Sequence, residues 1–365
     1  MILQYLAWFI LIFTGMQFMV AVANLIFRPR LNRYAENEET FLSILIPARN
    51  EEKNISVLLN DLQKQSFQHI EIIVFDDDSY DNTASVVKKY LKHNAHVKLM
   101  QSKELPNGWL GKNFACHSLS KAATGDYFLF LDADVRIMGN LIGKVLAYAR
   151  HQKLGLLSIF PTQVMNSIGE RFTVPVMNYI LLTLLPLFLV RWSRFISLSA
   201  ANGQFMLFKA SVYKRIEPHL MMKDRVVEDI AISRYLKKQK IHIACLSGYK
   251  DITCRMYPGF FEAIHGFSKN VIAFFGNSYL LAILFWLITS LGFLAVLLYM
   301  PVWMVGLYLT LYIATRVLVS LVSHQPVIEN LFYIIPQQMA MGLFIFQSVF
   351  NTLKKEYQWK GRKLC

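Results

Sequence analysis

Ile72-Ile73-Val74-Phe75-Asp76-Asp77 and Tyr127-Phe128-Leu129-Phe130-Leu131-Asp132-Ala133-Asp134 share one design, an unbroken apolar run that stops at a pair of carboxylates. Such runs are the pattern of buried strands. A carboxylate pair just past one lies at the C-terminal edge of the strand, where open α/β sheets bind ligands. Carboxylates with one residue between them also suit a hard divalent cation that bridges two phosphate oxygens. The alternative for either pair alone is a helix N-cap or a turn, where many strand-end aspartates belong. Both pairs together point to an enzyme that handles a nucleotide diphosphate through a metal.

Working outward, strand and helix patterns alternate from residue 41. Strands are expected at 41–46, 71–75, 97–100 and 127–131, and helices from Asn50 through Leu62, at 82–93 and at 113–124. The acidic first turn at Glu51-Glu52 suits a helix N-terminus. Strands separated by helices imply a mainly parallel, Rossmann-like α/β sheet with helices on both faces. No Gly-x-Gly-x-x-Gly follows the first strand, which argues against a nicotinamide or flavin site, and there is no P-loop. Phosphate handling must rest on metal and basic side chains. Lys112, in the Gly-flanked loop Gly108-Trp109-Leu110-Gly111-Lys112-Asn113, is placed to reach a phosphate; the alternative is a solvated lysine.

Composition says where this chemistry takes place. Of 365 residues 55% are apolar, and the mean hydropathy is +0.35. The apolar residues gather at 5–27 and 279–350, leaving one globular stretch between them. The first block is long enough to span a bilayer. Arg28, Arg30 and Arg33 follow it and no basic residue precedes it, which is not the layout of a cleaved signal peptide. The positive-inside rule makes residues 1–27 an anchor with Met1 outside and the polar domain in the cytoplasm. The net charge of +14 fits a surface held against anionic lipid. No nucleic-acid recognition motif appears, so nucleic acid is not an expected partner. The run Arg234-Tyr235-Leu236-Lys237-Lys238-Gln239-Lys240 is expected to be a solvated face. Cys116, Cys245, Cys254 and Cys365 lack zinc spacing and are expected to be reduced.

These residues carry a resemblance. Ser43-Ile44-Leu45-Ile46-Pro47-Ala48-Arg49-Asn50-Glu51-Glu52, Val74-Phe75-Asp76-Asp77-Asp78-Ser79-Tyr80-Asp81-Asn82-Thr83, Leu131-Asp132-Ala133-Asp134 and Val227-Glu228-Asp229 resemble the ordered motifs of the family 2 glycosyltransferases. Those are inverting GT-A-fold enzymes that use nucleotide-activated sugars. The match covers roughly residues 41–270. A narrower similarity joins the 108–113 loop, Arg255-Met256-Tyr257, Gly266-Phe267-Ser268-Lys269-Asn270 and Trp359-Lys360-Gly361-Arg362 to the membrane branch associated with carotenoid acids or hopanoids.

The resemblance implies roles. Asp134 with Asp132 would hold Mg²⁺ or Mn²⁺, a Lewis acid for the departing diphosphate. Pro47, Arg49, Glu51, Asp76, Asp77, Lys112 and Asp132 would bind the nucleotide-diphosphate sugar, which the resemblance makes a UDP-sugar. Asp229 would deprotonate the acceptor, with Gly203, Gln204, Glu228 and Lys269 on the acceptor side. The Gln-x-x-Arg-Trp motif of processive members occurs nowhere in the chain, so a single transfer is expected.

The acceptor is expected to be lipidic: a carotenoid or other isoprenoid, with ceramide, diacylglycerol and polyprenyl phosphate as rivals. The apolar stretch 174–195, broken by Pro175 and Pro186 and carrying Arg191 and Arg194, is expected to lie in the membrane interface; a buried core helix is the alternative. Residues 279–300 and 302–322 are expected spans, with Arg316 facing protein or the interface. Leu331 onward is apolar but contains Pro336-Gln337-Gln338. Two crossings within 279–352 would return the basic tail, 353–365, to the cytoplasm. The non-enzyme alternative, an inert membrane scaffold or a transporter, is disfavoured because all four carboxylate sites are retained outside the apolar blocks.

Overall fold

The computed structural model describes residues 1–31, 39–92, 94–102 and 104–353, with the backbone of 354, 358–359 and 362–363. Arg33, residues 35–38, Cys365 and the side chains of the basic tail, those of the Trp359-Lys360-Gly361-Arg362 motif included, lie outside the residues described.

In chain order the strands are β1 (Leu42–Ala48), β2 (Ile70–Asp77), β3 (Val97–Ser102), β4 (Tyr127–Leu131), β5 (Val135–Ile137), β6 (Leu156–Phe160), β7 (Thr162–Gln163), β8 (Phe205–Lys209), β9 (Ile243–Ser247) and β10 (Ile252–Cys254). The helices are α1 (Ile2–Ile26), α2 (Ile55–Gln63), α3 (Thr83–Leu91), α4 (Gly111–Ala122), α5 (Leu141–His151), α6 (Ile168–Leu184), α7 (Leu187–Trp192), α8 (Ala210–Ile216), α9 (Pro218–Met221), α10 (Glu228–Lys238), α11 (Phe260–Ser268), α12 (Tyr279–Tyr299), α13 (Val302–Val322), α14 (Val327–Phe332) and α15 (Ile334–Lys354). The main sheet runs β3-β2-β1-β4-β8-β6-β9, and β5, β10 and β7 form a small second sheet.

The expected strands fall in β1 to β4. All eight residues of β2 are buried, and each large aliphatic side chain so placed contributes about 1.5–3 kcal/mol. Strand β1 lies parallel to both β2 and β4, with Ala48 opposite Asp76 and Leu45 opposite Phe130, so their C-terminal ends share one edge. Strand β8 is antiparallel to β4, with Phe205 opposite Leu131. Its start therefore sits where β4 ends.

The first helix starts later than the acidic run predicted. Residues 50–52 instead clasp the turn after β2: the Asn50 amide donates to Ser79 Oγ (2.9 Å), that of Glu51 to Thr83 Oγ1 (2.8 Å) and that of Glu52 to Asp81 Oδ2 (3.1 Å). With those donors spent across the turn, α2 opens at Ile55.

Glu71 holds this half of the sheet together. Its carboxylate accepts from Ser43 Oγ (2.7 Å), the Thr124 amide (2.7 Å), Thr124 Oγ1 (2.8 Å) and Lys98 Nζ (2.9 Å). Burial works against its charge, but the donors from Thr124, Ser43 and Lys98 outweigh it and hold the carboxyl down to about 2. A carboxyl depressed on folding stabilises the fold above its ordinary pKa of 4.5, and that contribution is lost as pH falls toward about 2. Glu71→Gln is therefore expected to lower the unfolding free energy by about 2–3 kcal/mol at neutral pH. The gap between variant and parent should close below the ordinary carboxylate range, as denaturant titrations in detergent across pH would read.

Helices α1, α12 and α13 are, among the described residues, long and apolar enough to cross a membrane. They pack through Ala7, Ile10, Leu11, Val296, Met300 and Tyr308. Arg316 faces protein: its guanidinium lies 3.6 Å from the Tyr179 ring centroid and donates to Tyr312 Oη (3.2 Å). The Pro336-Gln337-Gln338 stretch is absorbed by polar contacts at the start of α15. Gln337 Nε2 donates to the Arg171 carbonyl (3.1 Å), and the Gln338 carbonyl accepts from Trp286 Nε1 (2.8 Å).

The 174–195 stretch is not one interfacial element. Val174 to Thr183 lies within α6 and is buried apart from Met177. Asn24 of α1 secures the break before Pro186: Nδ2 donates to the carbonyls of Leu182 and Leu185 (both 3.0 Å), and Oδ1 accepts from the Leu187 amide (2.7 Å). Only the end of the stretch is open, with Trp192 and Phe195 exposed. Two effects thus override the surface reading: α15 and α11, with α1 and α13, pack over α6, and Asn24 satisfies the carbonyls that a proline break leaves free.

The 234–240 run also departs from expectation. Arg234 and Lys237, three apart on one face of α10, turn inward: Arg234 Nη2 donates to the Ala273 carbonyl (3.2 Å), and Lys237 Nζ to those of Leu198 (2.5 Å) and Leu189 (3.3 Å). Burial lowers the Lys237 ammonium to about 8. The catalytic half also docks directly on α13. Gly248, after β9, has φ +67°, and a Cβ there would lie 1.9 Å from the Val322 carbonyl oxygen.

Candidate active site

The sheet edge shared by β1, β4 and the start of β8 gathers most of the expected site. The Asp132 amide donates to the Gln204 carbonyl (3.1 Å), which fixes the Asp132-Ala133-Asp134 turn against Gly203-Gln204. Lys112, in the first turn of α4, places its ammonium 2.8 Å from Asp132 Oδ1, 2.9 Å from Oδ2 and 3.7 Å from Glu228 Oε1, and also donates to the Gly203 carbonyl (3.3 Å). It is no solvated lysine. Burial opposes its charge, yet Asp132 and Glu228 outweigh the burial and hold the ammonium above its usual range.

Asp229 lies in the first turn of α10 and is locked by two backbone donors, Gly203 N–H to Oδ2 (2.9 Å) and Ile230 N–H to Oδ1 (2.7 Å). Close approach explains the glycine at 203. A Cβ there would meet Glu228 Oε1 and Lys112 Nζ at 3.2 Å each. Burial raises the Asp229 carboxyl against the pull of those amides and of Lys112; burial likewise raises Glu228, with the Asp229 charge adding to it and Lys112 opposing.

Two cavities meet at this cluster. The larger, about 880 Å³, is lined by Pro47, Arg49, Glu51, Lys53, Asp134, Arg136 and Arg255. The smaller, about 190 Å³, contains Gly203, Glu228, Asp229 and Lys269. Lys112, Asp132, Gln204, Met256 and Tyr257 belong to both, so the Lys112–Asp132 ion pair stands in the wall between them. Burial holds the Lys269 ammonium below its usual range.

Asp76 and Asp77 line neither cavity. Both are buried at the end of β2; Asp76 accepts from Gln101 Nε2 (3.0 Å) and the Ser79 amide (3.3 Å), the bonding of a turn aspartate. Arg49 ties β1 to that turn by donating to the Asp78 carbonyl (2.9 Å). Glu51 accepts from Asn54 Nδ2 (2.7 Å).

Asn113 is a positioning residue that the sequence quoted without a role. Its Nδ2 points at the carbonyls of Met222 (2.7 Å), Arg225 (3.1 Å) and Lys223 (3.3 Å), and the Leu110 amide donates to Lys223 O (2.8 Å). The 108–113 loop thereby holds the segment that delivers Glu228 and Asp229. Arg136 and Arg255 were also missed. Arg255 Nη2 pairs with Glu170 Oε1 (2.8 Å), itself fixed by a capping box with Ser167. Only the Glu170-x-x start of α6 hinted at this. Cys116, Cys245 and Cys254 are buried and free, and Cys254 Sγ accepts from Gln204 Nε2 (2.9 Å).

The donor set of Asp132 and Asp134 suits a hard cation. No group of three or more His, Cys, Asp or Glu is assembled for a metal among the described residues. A Mg²⁺ or Mn²⁺ ion takes one or two carboxylates and completes its shell with substrate phosphates and water, so two carboxylates fit a site shared with the donor.

Residues 43–216 match the family model described as glycosyl transferase family 2. This stretch is similar to a family 2 glycosyltransferase domain. Its relatives include the 4,4'-diaponeurosporenoate glycosyltransferase of Staphylococcus haemolyticus (strain JCSC1435), 29% identical over 274 residues, which are 71% of this chain and 70% of that one. The protein of the same name from Staphylococcus aureus (strain USA300) is 27% identical over 263 residues, 69% of this chain and 67% of the relative. Among solved structures, the mannosyltransferase PcManGT from Pyrobaculum calidifontis, in complex with GDP-Man and Mn²⁺, aligns with a TM-score of 0.56 at 14% identity, over 96% of this chain and 99% of that one. At that identity the likeness speaks for the GT-A fold. The glycosyltransferase thus joins a mainly parallel GT-A-like sheet to three membrane-length helices.

Proposed function

We propose that this glycosyltransferase moves one sugar from a nucleotide-diphosphate sugar to a lipid acceptor, a carotenoid or other isoprenoid, at the cytoplasmic face of a membrane. The observation that carries the reading is the divided site. A large cavity lined by Arg49, Lys53, Arg136 and Arg255 suits a diphosphate, and a small one holding Asp229 lies across the Lys112–Asp132 wall. Donor and base on opposite sides of the reacting carbon is the arrangement that inversion requires.

In this reading Pro47, Arg49, Glu51, Asp76, Asp77, Lys112 and Asp132 form the donor side. Lys112 neutralises diphosphate charge from a site where little water competes. Asp132 and Asp134 would hold Mg²⁺ or Mn²⁺, which supplies Lewis-acid stabilisation of the leaving diphosphate. Asp229, oriented by two amides, takes the acceptor proton, and Gly203, Gln204, Glu228 and Lys269 face the acceptor. The relatives' name specifies 4,4'-diaponeurosporenoate, and an acceptor of that kind arrives ionised, leaving little proton to remove.

In the same reading residues 1–27 anchor the chain, 41–270 form the cytoplasmic catalytic domain, 279–352 return to the membrane and 353–365 form a cytoplasmic tail. The hydrogen bond from Arg28 Nη1 to His324 Nε2 (3.0 Å) supports this layout, because it joins the C-terminal ends of α1 and α13 beside the catalytic domain. The test is mass spectrometry of lipids from cells with and without the gene, paired with purified protein given UDP- and GDP-sugars and the same lipid extract. A lipid heavier by one sugar is expected only with the protein. Transfer to soluble acceptors alone would overturn the lipid assignment, and a sugar-bearing ceramide, diacylglycerol or polyprenyl phosphate would replace the isoprenoid.

A further inference from the structure

A third cavity, of about 350 Å³, lies away from the Lys112–Asp132 cluster where α1 ends, walled by Arg28, Arg30, Phe188, Arg191, Trp192 and Val322 among others. Three arginines converge on it, and among the described residues no carboxylate lines it. Uncompensated guanidinium groups in a concave site attract an anion, and their planar forks match phosphate.

Arg28 is held in place. It stacks 4.6 Å from the Tyr249 ring centroid and donates to His324 Nε2, which must accept because an arginine has no lone pair to offer. Burial, then the charges of Arg28 and Lys250, keep His324 below its ordinary range, consistent with a neutral acceptor ring. Arg30 is exposed and Arg191 half-buried, so their donors remain open to a ligand.

The other pole of the cavity is apolar and aromatic. Phe27 packs 4.6 Å from Phe188 and 6.3 Å from Trp192; Phe27 and Trp192 are 48% and 62% exposed. Aromatic rings of this kind sit at the headgroup level of membranes. The volume suits a headgroup and not a whole lipid, while Leu25 and Ile26 leave an exposed apolar track down α1 for acyl chains.

We infer that this cavity binds the phosphodiester headgroup of an anionic phospholipid, with Arg28, Arg30 and Arg191 on the phosphate and Phe27, Phe188 and Trp192 against the glycerol and upper chains. The inference rests on α1 and α13 lying in a membrane and is independent of the sugar or the acceptor. Cavity residues Ala244, Cys245 and Leu246 belong to β9, so the lipid would brace the junction of α1, α7 and the sheet.

The test is native mass spectrometry of the full-length protein released from vesicles of phosphatidylcholine containing phosphatidylglycerol. The parent is expected to retain phosphatidylglycerol over phosphatidylcholine. Arg30→Gln with Arg191→Gln should weaken that retention by about ten- to thirtyfold, and the corresponding double lysine variant should restore much of it. Thermal unfolding in detergent checks that the variants fold. Lys88→Gln with Lys89→Gln, exposed on α3, removes the same charge elsewhere and should change nothing. Equal retention by parent and the arginine variant, or an equal loss in the α3 variant, would overturn the site. Displacement of the lipid by millimolar inorganic phosphate would assign the cavity to a free anion instead.

Discussion

Asp229→Asn is expected to lower turnover by roughly 10²–10⁴ on a hydroxyl acceptor while donor affinity stays close to that of the parent. A hydroxyl has a solution pKa far above neutral, so its proton must leave in the transition state, and in the proposed reading that is the work of Asp229, whose carboxylate is held by the Gly203 and Ile230 amides. The loss is confined to the transition state and falls on kcat and kcat/KM together. An asparagine can accept from only one of the two amides through its oxygen, so some positioning is lost as well. On a carboxylate acceptor the same substitution should cost far less, through positioning alone. The pH profile gives a second readout. Burial raises both Asp229 and Glu228, so activity with a hydroxyl acceptor should fall as pH drops through a range above the usual carboxylate one, with a midpoint that belongs to the pair. The variant should lose that limb. Parent-like turnover on both acceptor types would remove Asp229 from the mechanism.

Asp134→Ala should reduce transfer by about 10³-fold or more, the scale of losing several kcal/mol of charge stabilisation at the leaving diphosphate. Asp132 is already engaged by Lys112 at 2.8 Å, which leaves Asp134 the carboxylate at this turn not committed to that ammonium. Isothermal titration with a nucleotide diphosphate, with Mn²⁺ and with chelator, separates the outcomes. The parent should bind more tightly with the ion; the variant should bind alike in both conditions. Full activity of the variant in chelator would remove metal from the proposal.

Much of the framework was legible because it rests on local pattern. Continuous apolar runs marked β1, β2 and β4, and the residues ending them could be placed on one edge once those strands were parallel. Lys112, Gly203 and the pair Glu228-Asp229 come from three separate stretches, yet motif order was enough to group them. What failed to show depends on partners distant in sequence. Lys237 looks solvated until Leu189 and Leu198 present carbonyls to it. Residues 174–183 look interfacial until α15 and α11, with α1 and α13, cover them. Arg136 and Arg255 carry no local mark, since the strands that aim them, β5 and β10, pair across more than a hundred residues of chain. Asp76 could be placed on the donor side from sequence, but nothing local reveals that its oxygens also accept from Gln101 and the Ser79 amide.

The seam at Gly248 has a consequence for acceptor choice. With the Val322 carbonyl packed against Gly248, and Asn24 stitching α1 to the end of α6 and the start of α7, the sheet-bearing part of the chain is seated directly on the apolar helices. On the proposed placement the reacting carbon then works at one set depth, and the enzyme acts as a gauge. It would admit any amphiphile whose polar end reaches that depth and reject a chemically identical group on a shorter or longer stalk. Selectivity would then be read as length before it is read as functional group.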